Sequence, residues 1–158
     1  MKKQTHLKAE DLHTGSRLFL TRSLGRAHKM MVLKQTAMMK KYGLTAQQAL
    51  IISYLATHKN QLTTQKTLED ELGLTNPAIT VIIKTMMKKG FIQRERVPWD
   101  TRKYRLSLTP KAKRIETPSM EDAQELNDRF YEGLSDDEIR SFQGLLGRIL
   151  KNLEVIEG

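Results

Sequence analysis

Three closely spaced short helices followed by two alternating segments predict a mainly α fold with a small β-hairpin, framed by longer helices at both ends. Two observations carry this expectation. Capping residues stand at Thr45, at Thr63 or Thr64, at Thr75 and at Ser135, each just ahead of an apolar run. Between Phe91 and Leu108 the apolar spacing then shifts from about 3.6 residues to about 2.

Taken in order, Leu12 to Lys41 is expected to be one long helix. Leu20, Leu24, Ala27, Met31 and Met38 recur along it, no proline interrupts, and Gly43 suits the left-handed position that ends it. Thr45 and Gln48 have the spacing of a capping box for the next helix, filled by Ala49, Leu50, Ile52, Tyr54 and Leu55. Leu68 and Leu72 support a helix stopped by Gly73. Thr75 can open the following one, with Pro77 tolerated in the first turn. That third helix should run to Lys89 and bury Ile79, Ile82, Ile83, Met86 and Met87. Phe91–Val97 and Tyr104–Leu108 read as two strands, joined by a turn from Pro98 to Lys103. Thr109-Pro110 restarts helix. Ser135-Asp136-Asp137-Glu138 opens the last, along which Phe142, Leu146, Ile149, Leu153 and Ile156 form a heptad-like seam.

The bulk composition narrows the function classes. With 158 residues, 39% hydrophobic and 28% charged, the chain can bury a core without disulfide or metal support. It has no cysteine, which excludes thiol catalysis, thiolate metal sites and thiol redox sensing. No apolar run is long enough for a membrane span, and the basic start lacks the apolar stretch of a secretion signal, so a cytoplasmic location is expected. The net charge is +9, unevenly spread. Residues 1–43 hold 10 Lys/Arg against 2 Asp/Glu, residues 44–115 hold 13 against 5, and residues 116–158 hold 4 against 11. A basic two-thirds attracts polyanions, nucleic acid foremost. His6, His13, His28 and His58 are scattered without ligand spacing, and the methionine pairs sit on helical faces as core filler, so no metal and no cofactor is expected. No nucleophile elbow, phosphate-cradling glycine loop or zinc-hydrolase spacing is present, which argues against an enzyme.

Helices separated only by Gly73-Leu74 and followed by a hairpin form a winged helix-turn-helix pattern. In that arrangement the third helix enters a major groove about 12 Å wide. Its non-core face offers Asn76, Thr80, Val81 and Lys84. Asn76 can pair with adenine, Thr80 with several bases, and Lys84 with guanine or phosphate. The wing would bring Arg102 and Lys103 to a minor groove, with Asp100 bracing the Arg102 guanidinium in a fixed fork. Lys88, Lys89, Arg94, Arg96 and Arg105 are phosphate candidates. Trp99 is expected to pack on its own hairpin, the sugar–phosphate backbone being its alternative.

On these residues the chain resembles the MarR-type multiple-antibiotic-resistance regulators. The matching stretches are Gly43-Leu44-Thr45 with Gln48, Lys89-Gly90-Phe91-Ile92 with Arg94, Asp100-Thr101-Arg102, Leu106-Ser107-Leu108-Thr109 and Leu134-Ser135-Asp136-Asp137-Glu138. The resemblance implies a homodimer with interleaved first and last helices, Arg102 in the minor groove, and DNA binding relieved by a small aromatic or anionic effector. Two departures stand out. Val81 occupies a position where many members have arginine, so base preference should differ, and Ala112 replaces a frequent glycine. The oxidant-sensing branch, which needs cysteine, is closed.

The expected organisation is an N-terminal dimerisation helix (1–43), a winged DNA-binding domain (44–115) and C-terminal dimerisation helices (116–158). Independently of the family, the apolar Leu126–Ile156 stretch and the first helix carry more apolar surface than a small winged domain covers, which favours a second copy. Leu20, Leu24, Phe142, Leu146, Ile149 and Leu153 are its candidate contacts. The expected function is a repressor on a pseudo-palindromic operator, released by an effector whose binding residues the sequence does not single out. The alternatives are a constitutive DNA-binding protein and a winged-helix protein-interaction module.

Overall fold

The computed structural model describes residues 17–156. The first five residues of the expected opening helix, 12–16, lie outside that range. Helix α1 (Arg17–Met39) tightens into a 3-10 turn (Lys40–Tyr42), followed by α2 (Ala46–Thr57), α3 (Gln65–Leu72) and α4 (Asn76–Lys88). An antiparallel hairpin of β1 (Ile92–Val97) and β2 (Asp100–Leu108) leads into α5 (Pro110–Phe130) and α6 (Asp136–Val155).

Local chemistry sets most of these boundaries. Gly43, with φ +71°, takes the left-handed conformation that ends the first helical segment and that side chains resist. Thr45 and Gln48 form a full capping box, as do Thr64 with Thr67 and Ser135 with Glu138, each satisfying otherwise orphaned amides. Thr109 Oγ1 caps α5 by accepting from the Ala112 amide. Thr75 departs from expectation: it precedes α4, yet its side chain makes no capping bond. Pro118 sits inside α5, removing one backbone donor there without ending the helix.

The core lies where α2, α4 and the hairpin meet. Ile51, Ile52 and Leu55 of α2, Leu68 of α3, Ile79, Ile83 and Met86 of α4, and Phe91, Ile92, Leu106 and Leu108 are buried together with Ala112 of α5. Met87, expected in this core, is instead exposed, because it falls one position past the buried stripe at Ile79, Ile83 and Met86. The segment before α3 joins the sheet edge, where Leu106 N donates to Thr63 O at 2.8 Å.

Helices α1 and α5 flank α2 and are locked at one joint. Tyr42 Oη donates to Asp122 Oδ2 at 2.5 Å, and Lys41 Nζ lies 2.6 Å from the same oxygen. The hydrogen bond from Lys41, and then that from Tyr42, holds the Asp122 carboxyl below its ordinary range, while Asp122 raises both Lys41 and Tyr42. A boundary at 115/116 falls inside α5 rather than between elements. Within the apolar Leu126–Ile156 stretch, Tyr131–Ser135 with Gly133 separates α5 from α6, as the opening at Ser135 leads one to expect. Helix α6 contributes no buried residue at all.

Candidate nucleic-acid interface

The corner between α3 and α4 is made by Gly73, whose φ of +60° reverses the chain, with Leu74 N donating to Glu69 O at 3.2 Å. Burial of Ile79, Ile83 and Met86 fixes the rotation of α4. By the helical period the opposite face then carries Asn76, Thr80, Val81, Lys84 and Lys88, all exposed. Lys88 lies about 18 Å along the axis from Asn76 at 1.5 Å per residue, so the two mark opposite ends of the exposed stripe.

Polar side chains across the corner are organised, and the sequence reading missed this. Asn76 Nδ2 donates to Glu69 Oε1 at 2.6 Å. Gln65 Nε2 donates to the same oxygen at 3.2 Å and to Thr80 Oγ1 at 2.8 Å. Two pairs four residues apart, Gln65/Glu69 on α3 and Asn76/Thr80 on α4, thus face each other across the turn. That double spacing was the available signal.

The hairpin is tighter than expected. Val97 is in register with Asp100, so the loop is only Pro98-Trp99, and Asp100–Lys103 belong to β2 rather than to a six-residue turn. Because Arg96 pairs with Tyr104 while Val97 pairs with Asp100, residues 101–103 have no opposite number and form an irregular outward segment. This is why Arg102 is 93% exposed by side chain. Asp100 Oδ1 accepts from the Arg102 backbone amide at 3.1 Å, with Arg102 Nε at 3.6 Å and Lys103 Nζ 3.5 Å from Oδ2. Asp100 therefore fixes the turn through the backbone. Of the expected brace on the guanidinium, one contact is present, at Nε, which leaves most of its donors open. Trp99, expected to fold against its own hairpin, stands at the tip 74% exposed, because a two-residue loop gives it nothing to lean on.

Strand pairing sorts the remaining cations. Arg94 and Arg96 lie on the Tyr104 side of the hairpin, with their guanidinium carbons 3.6 Å and 5.9 Å from the centre of that ring. Arg94, Arg102, Lys103 and Tyr104 share a cleft of about 260 Å³ with Thr64 and Gln65 of the α3 entrance. Through Gln65 this cleft adjoins Thr80. Arg105 pairs with Glu95 on the other face and shares a separate cleft with His58, Lys59 and Lys113. Lys89, though exposed, donates to Gly43 O at 2.8 Å and Gln48 Oε1 at 3.1 Å, so its ammonium is engaged within the chain.

The proposed self-association residues occupy a different region. On α1, Leu20 is exposed and Leu24 half-covered. On α6, Phe142, Ile149 and Leu153 are exposed together with Leu145 and Leu150, while Leu146 is partly covered. Among the described residues, no cluster of three or more His, Cys, Asp or Glu is placed to hold a metal, and no helix is long and apolar enough to cross a membrane.

No curated protein sequence matches the chain. A MarR family profile matches residues 42–103. Among solved structures, the transcription regulator MarR from Oenococcus oeni PSU-1 is 30% identical, with 84% of this chain and 98% of that one aligned at a TM-score of 0.72. S. aureus MepR in a DNA complex is 21% identical over 87% of this chain and 96% of its own, with a TM-score of 0.76. An E. coli MarR mutant complexed with operator DNA is 20% identical over 83% and 93%, with a TM-score of 0.73. These last two share the fold of this chain, which is mainly helical with one antiparallel hairpin among the described residues. The family consists of transcription regulators and not of enzymes. The profile match and the 30% identical relative, spanned almost end to end, together establish that the chain belongs to the MarR family of transcriptional regulators.

Proposed function

We propose that the protein is a sequence-specific DNA-binding repressor that acts in the cytoplasm as a homodimer on a pseudo-palindromic operator and is released by a small aromatic or anionic effector. One observation carries the DNA-binding part. Gln65 bonds Thr80 of the exposed α4 stripe and lines one cleft with Arg102, which supports a helix for the major groove beside a cation for the adjacent minor groove. Asn76, Thr80, Val81 and Lys84 would face base edges. Lys88, Arg94, Arg96 and Lys103 would meet phosphates, and Arg105, from the opposite strand face, would reach only a flanking one. That MepR and a MarR mutant of the same fold were solved with DNA supports the reading.

The homodimer is supported by the apolar side chains left uncovered on α1 and α6. In this proposal residues 44–115 read DNA, while 1–43 and 116–158 hold the two copies together. The effector is supported by a cavity of about 190 Å³ between α1, α2 and α5. Met39, Ala49, Leu50, Met120 and Ala123 supply apolar walls, and Gln35 and Asn127 a polar rim. A cavity near 150 Å³ already admits a single aromatic ring.

Selection of genomic fragments by the full-length protein, followed by anisotropy titration, tests this. The expected result is enrichment of an inverted repeat bound far more tightly than unrelated DNA, in line with the roughly 10³- to 10⁷-fold range of specific regulators. Equal binding of all duplexes, or none, would overturn it.

A further inference from the structure

We propose that Glu69 is a positioning residue for base reading: from behind the α3–α4 corner it sets the donor and acceptor pattern that Asn76 and Thr80 present. The inference rests on the DNA-binding reading above and adds to it how the reading face is oriented.

A carboxylate only accepts, so an amide bonded to it must turn its NH₂ group inward. Glu69 Oε1 accepts from Asn76 Nδ2 at 2.6 Å and from Gln65 Nε2 at 3.2 Å, which orients both amides at once. Its side chain is only 10% exposed, so water is a poor competitor for these bonds, and its other oxygen faces Lys66 Nζ at 4.0 Å. Asn76 keeps its carbonyl oxygen and one amide hydrogen for a partner. That pair complements the N7 acceptor and N6 donor of adenine. Gln65 Nε2 donates to Thr80 Oγ1 at 2.8 Å, which leaves the Thr80 hydroxyl hydrogen free to be donated outward. Thr80 then suits an acceptor such as purine N7 or thymine O4.

An acid facing a polyanion weakens general attraction. Glu69 is therefore assigned to orientation rather than affinity, and base discrimination is the readout that separates this role from a merely structural tie. Glu69→Gln keeps the shape, removes the charge and lets the Asn76 amide flip. Binding of the full-length protein to its selected site and to every single-base variant should then show discrimination falling about tenfold or more at one base pair per half-site. Affinity for unrelated DNA should hold or rise, and the melting temperature should stay within a few degrees. Asn76→Ala should relax the same base pair, and the double variant should add nothing further. In the free protein, the side-chain NH₂ resonances of Asn76 and Gln65 should shift on Glu69→Gln, a readout independent of DNA.

Unchanged base preference in Glu69→Gln, with Asn76→Ala relaxed, would sink the inference and leave the DNA-binding reading standing. A uniform loss of affinity across all sequences would mark Glu69 as structural only and sink it equally. A parent protein that binds no duplex would overturn the DNA-binding reading itself.

Discussion

Leu153→Ala should weaken the proposed homodimer far more than it disturbs the fold. The substitution deletes three carbons, about 2.4 kcal/mol of transfer free energy at about 0.8 kcal/mol per fully buried carbon. Leu153 is 58% exposed in the single chain, so about 1.4 kcal/mol of that remains for a partner to bury. A twofold interface contains the residue twice, giving about 2.8 kcal/mol, or about a hundredfold weaker association. The fold itself should change by no more than about 0.5 kcal/mol, since the position is exposed and alanine favours helix. Lys151→Ala serves as control, because two residues along a helix points to roughly the opposite side. Sedimentation equilibrium over a wide concentration range reads the difference directly. Equal dissociation constants for Leu153→Ala and Lys151→Ala would refute the assignment of this face to a second copy, as would a monomeric parent.

Three further outcomes follow from the geometry. Arg102→Ala should weaken operator binding by roughly 1–3 kcal/mol and relax preference at the flanking minor-groove positions, with unchanged titration curves removing the wing from the mechanism. Asp122→Asn tests the joint between α5 and the Lys41–Tyr42 turn. Asp122 is held below its ordinary range chiefly by the hydrogen bond from Lys41, so its contribution is complete above the ordinary carboxylate pKa and is lost as pH falls through the folded value. Urea midpoints of parent and variant should therefore differ near about pH 7 and converge on acidification, whereas a constant gap would contradict the ion pairing. Trp99, the sole tryptophan, should emit as a water-exposed indole and be readily quenched by acrylamide in the free protein. Operator DNA should protect it, and unaltered quenching in the complex would mean that the wing tip stays clear of the duplex.

Much of the fold was legible in the sequence because its determinants are local. The capping box at Thr45 and Gln48, the stops at Gly43 and Gly73, and the opening at Ser135 each involve residues within three or four positions, so spacing alone specifies them. What escaped involves partners distant in the chain. Thr75 looked like a cap, but no side-chain cap bond forms there; across the corner, Asn76 donates to Glu69. Lys89 looked like a surface cation, yet it reaches back 46 positions to Gly43. The wing loop looked long because composition does not encode strand register, and register is what expels residues 101–103 and exposes Trp99. That Asn76, Thr80, Val81 and Lys84 share the exposed face of α4 was legible, since the buried stripe at Ile79, Ile83 and Met86 leaves them only one side.

The central claim is geometric: α4 lies in a major groove while the Arg102 segment reaches the neighbouring minor groove, once in each half of a symmetric pair. Chemical footprinting of the selected operator, probing guanine N7 for the major groove and adenine N3 for the minor, tests it most directly. The account predicts two protected major-groove patches about 34–36 Å apart on one side of the duplex, each flanked outward by minor-groove protection. Protection confined to one groove, or a pattern without twofold symmetry, would contradict it.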